Sequence, residues 1–211
     1  MSLIIEKFIE QYKREFDYYE KISYDASKII EESLVNKGIK AIVTSRAKDP
    51  VSLLEKLKLK DNNNPIPYKS LSIIRKDIKD LSGVRIALYF PSDKEKINGL
   101  IEESFIIKDK KVHPENDSSL YGATHYLVQF KKNNKNIRFC NSIIEIQVAS
   151  VLMHARAEVE HDLNYKEKSG DISNEEKNIL VKINDIVMKG ENELEELAKG
   201  NKRKKTKTKK I

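Results

Sequence analysis

Two carboxylates set into apolar segments are the residues of this chain best suited to chemistry. Asp80 stands just ahead of Val84-Arg85-Ile86-Ala87-Leu88-Tyr89-Phe90, a run closed by Pro91 that reads as a buried strand, with Gly83 at its entry. Glu145 lies inside a second apolar strand, Ile143–Val148, and Gln147, two residues on, shares its face. An acid in so apolar a strand carries a desolvation cost unless a cation meets it. Two such acids on neighbouring strands, with Arg and Lys close by, have the makings of a magnesium–nucleotide site, and a buried salt bridge is the structural alternative for either one. Arg46, Lys48, Ser52 and Lys56 gather where a strand ends and a helix begins at Asp49-Pro50. That is a natural polyphosphate site, or else an ordinary solvated basic face. Tyr121 and His125 stand out in the segment Tyr121–Phe130, where a structural role is the alternative to a functional one. His161-Asp162 is the dipeptide of metal phosphohydrolases, but the further His and Asp ligands such sites need are missing upstream.

These residues need a sheet and helices to position them. Residues 3–35 read as one long amphipathic helix, with Ile5, Phe8, Ile9, Tyr12, Phe16 and Tyr19 on a single apolar stripe and a stop at Asn36-Lys37-Gly38. Strands are expected at 39–46, 84–90, 105–108, 121–130 and within 137–148. Helices are expected at about 50–60, 70–79, from Ser92 as N-cap to about 103, at 151–165 and at 175–199. The 151–165 helix would turn Val151, Leu152, Ala155, Val159 and Leu163 to the core and His154, Glu158 and His161 to the other side. Residues 109–120 are polar and read as a loop beside the site, and 131–136 as a hairpin-like turn. The domain plan is an N-terminal helix over 1–38, a catalytic core over 39–170, a C-terminal helix over 171–199 and a basic, disordered tail over 200–211.

Composition narrows the class. A chain of 211 residues with 39% hydrophobic and 35% charged content has room for a real core. It lacks the run of about 18 apolar residues that a membrane helix requires, and its charged N-terminus is unlike a signal peptide. The single cysteine, Cys140, cannot form an internal disulfide, and no Cys/His cluster suggests zinc, so a cytoplasmic setting is expected. The net charge of +7 belongs to the tail, because eight basic residues and no acid follow from Lys199 to the end. Such a tail could contact RNA or another polyanion through a salt-sensitive phosphate term.

Taken together and in order, the motifs resemble those of the RelA/SpoT synthetase domain in its short, single-domain form, the small alarmone synthetases. Arg46-Ala-Lys48 with Ser52 and Lys56, Asp80-Leu-Ser-Gly83-Val-Arg85, Tyr121-Gly-Ala-Thr-His125, Glu145-Ile-Gln147-Val, and Ala157-Glu158-Val-Glu160-His161 running to Tyr165-Lys166 carry the likeness over roughly residues 40–166. The resemblance implies an α/β (α+β), nucleotidyltransferase-like mixed sheet of about five strands flanked by helices. It implies transfer of the β,γ-pyrophosphate of ATP to the 3′-hydroxyl of GDP or GTP, with release of AMP. By the same resemblance Arg46 and Arg85 would sandwich adenine, and Lys48, Ser52 and Lys56 would hold the ATP phosphates. Asp80 and Glu145 would bind Mg²⁺, with Glu145 also the candidate base; Tyr121 would stack on the acceptor base, and His125 and Gln147 would line its side. Departures from the family pattern cluster on that acceptor side: Leu120 for glycine, Glu115 for lysine, Ala149-Ser150 for Arg-Thr, and Arg156 for a tryptophan. Two further readings follow, a toxin-type relative that modifies the 3′ end of tRNA and a silent nucleotide- or RNA-binding domain. The long terminal helices could serve a homo-oligomer.

Overall fold

The computed structural model describes residues 3–63, 67–113, 122–131, 139, 141–165 and 173–208. Two helices open the chain, α1 (Leu3–Arg14) and α2 (Phe16–Asn36). The expected single helix breaks at Glu15, where φ is −98° and ψ 7°. The break lets one apolar stripe serve two cores. Ile5, Phe8, Ile9 and Tyr12 of α1 pack with Leu53 and Leu57 of α3 (Pro50–Asn63) and Ile74 of α4 (Leu71–Asp77). Ile22, Ala26, Ile30 and Leu34 of α2 pack instead beneath the sheet. The Glu15 carboxylate is drawn out to Arg75 at 2.9 Å and to Gln11 at 2.9 Å, which fixes the bend.

Five strands form one mixed sheet: β1 (Ala41–Ala47), β2 (Ser82–Leu88), β3 (Phe105–His113), β4 (Ala123–Phe130) and β5 (Ile144–Ser150). Their order is β1-β2-β5-β4-β3, parallel only between β2 and β5. This is the mixed, helix-flanked architecture expected. Val84, Ile86, Leu88, Ile144, Ile146, Val148, Tyr126, Val128 and Phe130 point to one face, where they meet α2 and α5 (Lys94–Ser104) in the main core. The alternate residues of the same strands form the opposite face and are only half-buried around the site. α6 (Val151–Tyr165) and α7 (Asn174–Thr208) cover one end of that second face, where Met153, Val187 and Met188 pack on Ala123 and Ala149.

Several local expectations change. Ser92 is not the cap of α5; it lies in a 3₁₀ turn, Pro91–Asp93, and its N–H donates to Glu195 of α7. β3 runs to His113 rather than giving way to a loop at Asp109. Among the described side chains of α6 the buried ones are Met153, His154 and Arg156, whereas Val159 and Ala155 are exposed; His161 and Leu163 lie outside the described side chains. α7 continues past Lys199 to Thr208, so this part of the basic run is helical backbone rather than disordered tail; Lys and Arg are good helix formers. Tyr121, residues 132–138 and Cys140 lie outside the described residues. Among the described residues no helix is long and apolar enough to cross a membrane.

Candidate active site

The site follows from strand register. Residues paired across strands share a face, so two rows run over the open side of the sheet. One is Thr44, Arg85, Gln147, His125 and Lys111; the next is Arg46, Gly83, Glu145, Leu127 and Asp109. Segments far apart in the chain thus deliver Arg46, Arg85, Glu145, Gln147 and His125 to one surface. Gly83 lies within β2 rather than at a turn. A Cβ there would meet nothing nearer than Arg46 O and Glu145 O at 3.9 Å, and it would point into a cavity of about 170 Å³.

Asp80 enters from the segment before β2. Its Oδ2 accepts from Lys48 Nζ at 2.9 Å and Lys56 Nζ at 2.8 Å. Burial works to raise this carboxyl, but the two ammoniums prevail and hold it below the ordinary carboxylate range. Two ties keep the Lys48 and Asp80 segments in register. Lys48 N–H donates to Leu81 O at 3.0 Å, and the Tyr12 hydroxyl donates to Lys48 O at 2.6 Å and lies 3.4 Å from Leu81 O. Burial pushes the Tyr12 phenol well up, so it remains a donor. Ser52 sits in the first turn of α3, where its N–H donates to Asp49 Oδ1 at 2.8 Å.

Glu145 is tied into a polar chain. Its Oε1 lies 3.3 Å from His125 Nδ1, and its Oε2 accepts from Gln147 Nε2 at 2.8 Å. Gln147 Oε1 accepts from Arg85 Nε at 3.3 Å, and Arg85 closes the chain on Glu158 of α6. Burial would raise the Glu145 carboxyl; His125 and Gln147 hold it down, while nearby Asp80 works against them. His154, whose Nε2 lies 3.2 Å from Ile86 O, is kept below its usual range first by burial. A neutral ring there donates to the carbonyl and adds no charge.

Arg46, Lys48, Ser52, Lys56, Asp80, Arg85, His125 and Gln147 all line a cleft of about 500 Å³, whose far wall is His154, Ala157 and Glu158 of α6. A second cavity of about 260 Å³ lies beyond the carboxylates and shares Lys56, Asp80 and His125 with the first; Lys79, Asp109, Lys111 and Glu145 also line it. Two compartments that meet at Asp80, the smaller one reaching on to Glu145, suit transfer of a group between two ligands. Tyr121 is outside the described residues, but Gly122 beside it is held by Lys94, whose Nζ donates to Gly122 O at 2.6 Å. Sequence reasoning did not reach Tyr12, Lys79, Lys94, Asp109 or Lys111. The first looked like core, and the rest stand in charged stretches without a periodic signal.

The fit to a divalent metal rests on one atom. Asp80 Oδ1 is buried with no hydrogen-bond partner, and a desolvated acceptor so placed suits a cation. No three His, Cys, Asp or Glu side chains among the described residues are grouped to hold a metal. Magnesium, which commonly takes one or two carboxylates plus substrate phosphates, matches a two-carboxylate set.

Residues 45–170 match the family described as the region found in RelA / SpoT proteins. The GTP pyrophosphokinase YjbM of Bacillus subtilis is 27% identical over 162 residues, covering 74% of this chain and 70% of that relative. The small alarmone synthetase 1 from Bacillus subtilis superposes with a TM-score of 0.74 at 22% identity, over 92% of this chain and 99% of its own. The same synthetase bound to its product pppGpp gives 0.71 at 23% identity, over 90% and 98%. These structural likenesses establish the fold.

Proposed function

The chain belongs to the RelA/SpoT family, and from that premise we propose that it is a pyrophosphokinase making (p)ppGpp and AMP from ATP and GDP or GTP. The observation that carries this reading is the meeting of two cavities at Asp80, the smaller of which runs on to Glu145, with lysines crowding only one of the two acids. ATP occupies the larger cleft. Arg46 and Arg85 stack on adenine, with Arg85 kept in plane by Gln147 and Glu158. Lys48, Ser52 and Lys56 take the phosphates. Asp80 and Glu145 would hold magnesium, which when bound would supply neutralisation of charge on the transferred group.

The acceptor enters from the β3–β4 side, where His125 and Gln147 line its path; Tyr121 is the residue that would stack on its base. Its 3′-oxygen attacks the β-phosphorus of ATP, the bond from that phosphorus to the bridging α,β-oxygen breaks, and AMP departs with the electron pair. Glu145, ionised and aligned by His125 and Gln147, accepts the hydroxyl proton. The setting is cytoplasmic. Exposed Ile179, Val181, Ile186 and Leu197 give α7 apolar surface suited to self-association.

The test offers γ-labelled ATP and magnesium with GDP, GTP, ATP or bulk tRNA. Label should move to GDP or GTP with one AMP formed per transfer. Label moving to tRNA alone, or AMP release unchanged in Glu145→Gln, would overturn the reading.

A further inference from the structure

α7 ties together three junctions of the sheet. At the end of β5, Ser150 Oγ accepts the Met153 N–H at 3.1 Å, which caps the first turn of α6, and donates to Glu191 Oε1 at 2.6 Å. At the end of β2, Glu195 accepts the Ser92 N–H in the 3₁₀ turn. At the start of β4 the main chain is gripped by Lys94, the first residue of α5, whose Nζ donates to Gly122 O at 2.6 Å. The charge of Glu191 acts on this lysine from α7. Glu191 follows Gly190, where a Cβ would meet Leu152 Cδ1 at 2.9 Å. Glycine weakens a helix interior, and here it lets α7 lie close enough on α6 for Glu191 to reach Ser150.

Lys94 is an unfavourable choice for a merely structural anchor. It is half-buried, and it carries its positive charge in the first turn of a helix, where the dipole disfavours cations. No described carboxylate lies within ion-pair distance of it, whereas Lys96, two residues on, pairs with Asp93 at 2.6 Å. Burial lowers the Lys94 ammonium, Glu191 opposes this, and Lys110 adds to it. The need for a hydrogen-bond partner does not explain the lysine, because Gly122 is itself only half-buried and water can satisfy its carbonyl. What a charge-assisted bond adds is a firm hold on the Gly122–Ala123 peptide. Ala123, fully buried, is clamped by Ala149, Met153, Val187 and Met188. Gly122, with the wide backbone freedom of its type, is the point at which the chain can change direction between that clamp and Tyr121, the residue read as stacking on the acceptor base.

We propose that Lys94, with Glu191 of α7 as its counter-charge, is a positioning residue for the acceptor: it touches no substrate, but fixes the Gly122 peptide and with it the entry to β4. The proposal rests on the pyrophosphokinase reading and makes α7 part of the machinery that orients the acceptor. Initial rates against GDP, GTP and ATP, together with amide hydrogen exchange over 122–126, test it in wild type, Lys94→Met, Lys94→Arg, Glu191→Gln and Lys96→Met. Lys94→Met should raise the KM for GDP and GTP about tenfold, the lower end of what one charge-assisted hydrogen bond is worth, and leave the KM for ATP within about twofold. Exchange over 122–126 should quicken in the same variant, and Lys94→Arg should recover most of the acceptor KM. Glu191→Gln keeps an acceptor for Ser150 Oγ and loses only the charge, so it should raise the acceptor KM about threefold. Lys96→Met, the same change two residues on, should leave all three KM values as they are. An unchanged acceptor KM in Lys94→Met, or a KM for ATP that rises as much, overturns this role alone. Should that variant not fold, an unchanged acceptor KM in Glu191→Gln does the same. A wild type that transfers to no guanine nucleotide removes the proposed function and this role together.

Discussion

Asp80→Asn separates chemistry from folding at the position where the two are most entangled. The native carboxylate accepts from Lys48 at 2.9 Å and from Lys56 at 2.8 Å. Charge-assisted bonds of this kind are worth about 1.5–3 kcal/mol each, but Lys56 is 37% exposed, so its share is screened. Against them stands the desolvation of a buried carboxylate whose Oδ1 has no partner. The net cost to stability should be about 1–3 kcal/mol, read as a lower urea midpoint at unchanged slope. A domain stable by about 5–15 kcal/mol stays folded through such a loss. Transfer should fall much further, by about 10³-fold or more, because the amide brings a donor to the lysines and takes a ligand from the metal; that is about 4 kcal/mol of transition-state stabilisation. Glu15→Gln is the control. It loosens the 2.9 Å pair with Arg75 at the α1–α2 bend, costs about 1 kcal/mol or less, and leaves turnover per folded molecule unchanged. Should Asp80→Asn lose activity only in proportion to its unfolded fraction, the placing of Asp80 at the reacting phosphates would be wrong.

Tyr12→Phe removes the hydroxyl that ties Lys48 O to the Asp80 segment; we expect a loss of about 1–2 kcal/mol in denaturant titrations and a severalfold rise in the KM for ATP at near-constant acceptor KM. Gly83→Val should fold, since a Cβ at that position has room, yet bind an ATP analogue at least tenfold more weakly by calorimetry because the branches enter the cavity between Arg46 and Glu145. Asp80, beside its two lysines, and Glu145, beside His125 and Gln147, are both held below the ordinary carboxylate range, so each contributes stability above its unfolded pKa and loses it as pH falls through the lower folded value. The acid limb of kcat/KM should therefore lie below about pH 4, the free carboxylate range, and a limb governed by a carboxylate near pH 6 would refute this. Glu191 runs the other way. Burial raises its carboxyl, so its contribution declines as pH rises, and Glu191→Gln, which keeps an acceptor for Ser150 Oγ, should raise the melting temperature more at pH 8 than at pH 5.

The parts of the site legible in the sequence were those with a repeating physical signature. An acid inside an apolar strand is anomalous wherever it occurs, and two-residue spacing alone puts Glu145 and Gln147 on one face, where their side chains meet. The ordered motifs carried Arg46, Lys48, Ser52 and Lys56 to one cleft for the same reason. Failures came where periodicity is silent. The stripe of α1 and α2 keeps its 3.6-residue period through Glu15, so nothing marks a bend made by distant Arg75. On α6, His154 and Glu158 reach the cleft as their side of the helix suggests, but hydropathy misplaced the buried stripe, since Val159 is exposed and Arg156 is buried beside Glu160. In β3 the run Lys108-Asp109-Lys110-Lys111 looks like a loop, because a bulge breaks the alternation and an edge strand can leave charge on both faces.

The arrangement of charge along the sheet gives a physical reason for having two unlike acids. Lys48 and Lys56 hold their ammoniums on Asp80 before any phosphate arrives, and the Tyr12 hydroxyl and the Lys48–Leu81 backbone bond fix the segments that carry them. A polyphosphate entering the cleft thus meets cations already positioned and loses little entropy in gathering them. Glu145 is held instead by His125 and Gln147, partners that orient a carboxylate without adding the permanent charge of a lysine. Exchanging these environments should defeat the enzyme even though both acids remain. Gln147→Lys would place an ammonium two residues from Glu145, lower its basicity toward the acceptor hydroxyl and compete with Arg85. The expected outcome is a kcat reduced by about 10²-fold or more, the ordinary worth of a positioned base, with ATP-analogue affinity changed less than tenfold. Retained kcat in that variant would mean that Glu145 serves as a ligand and that the hydroxyl proton leaves by another route.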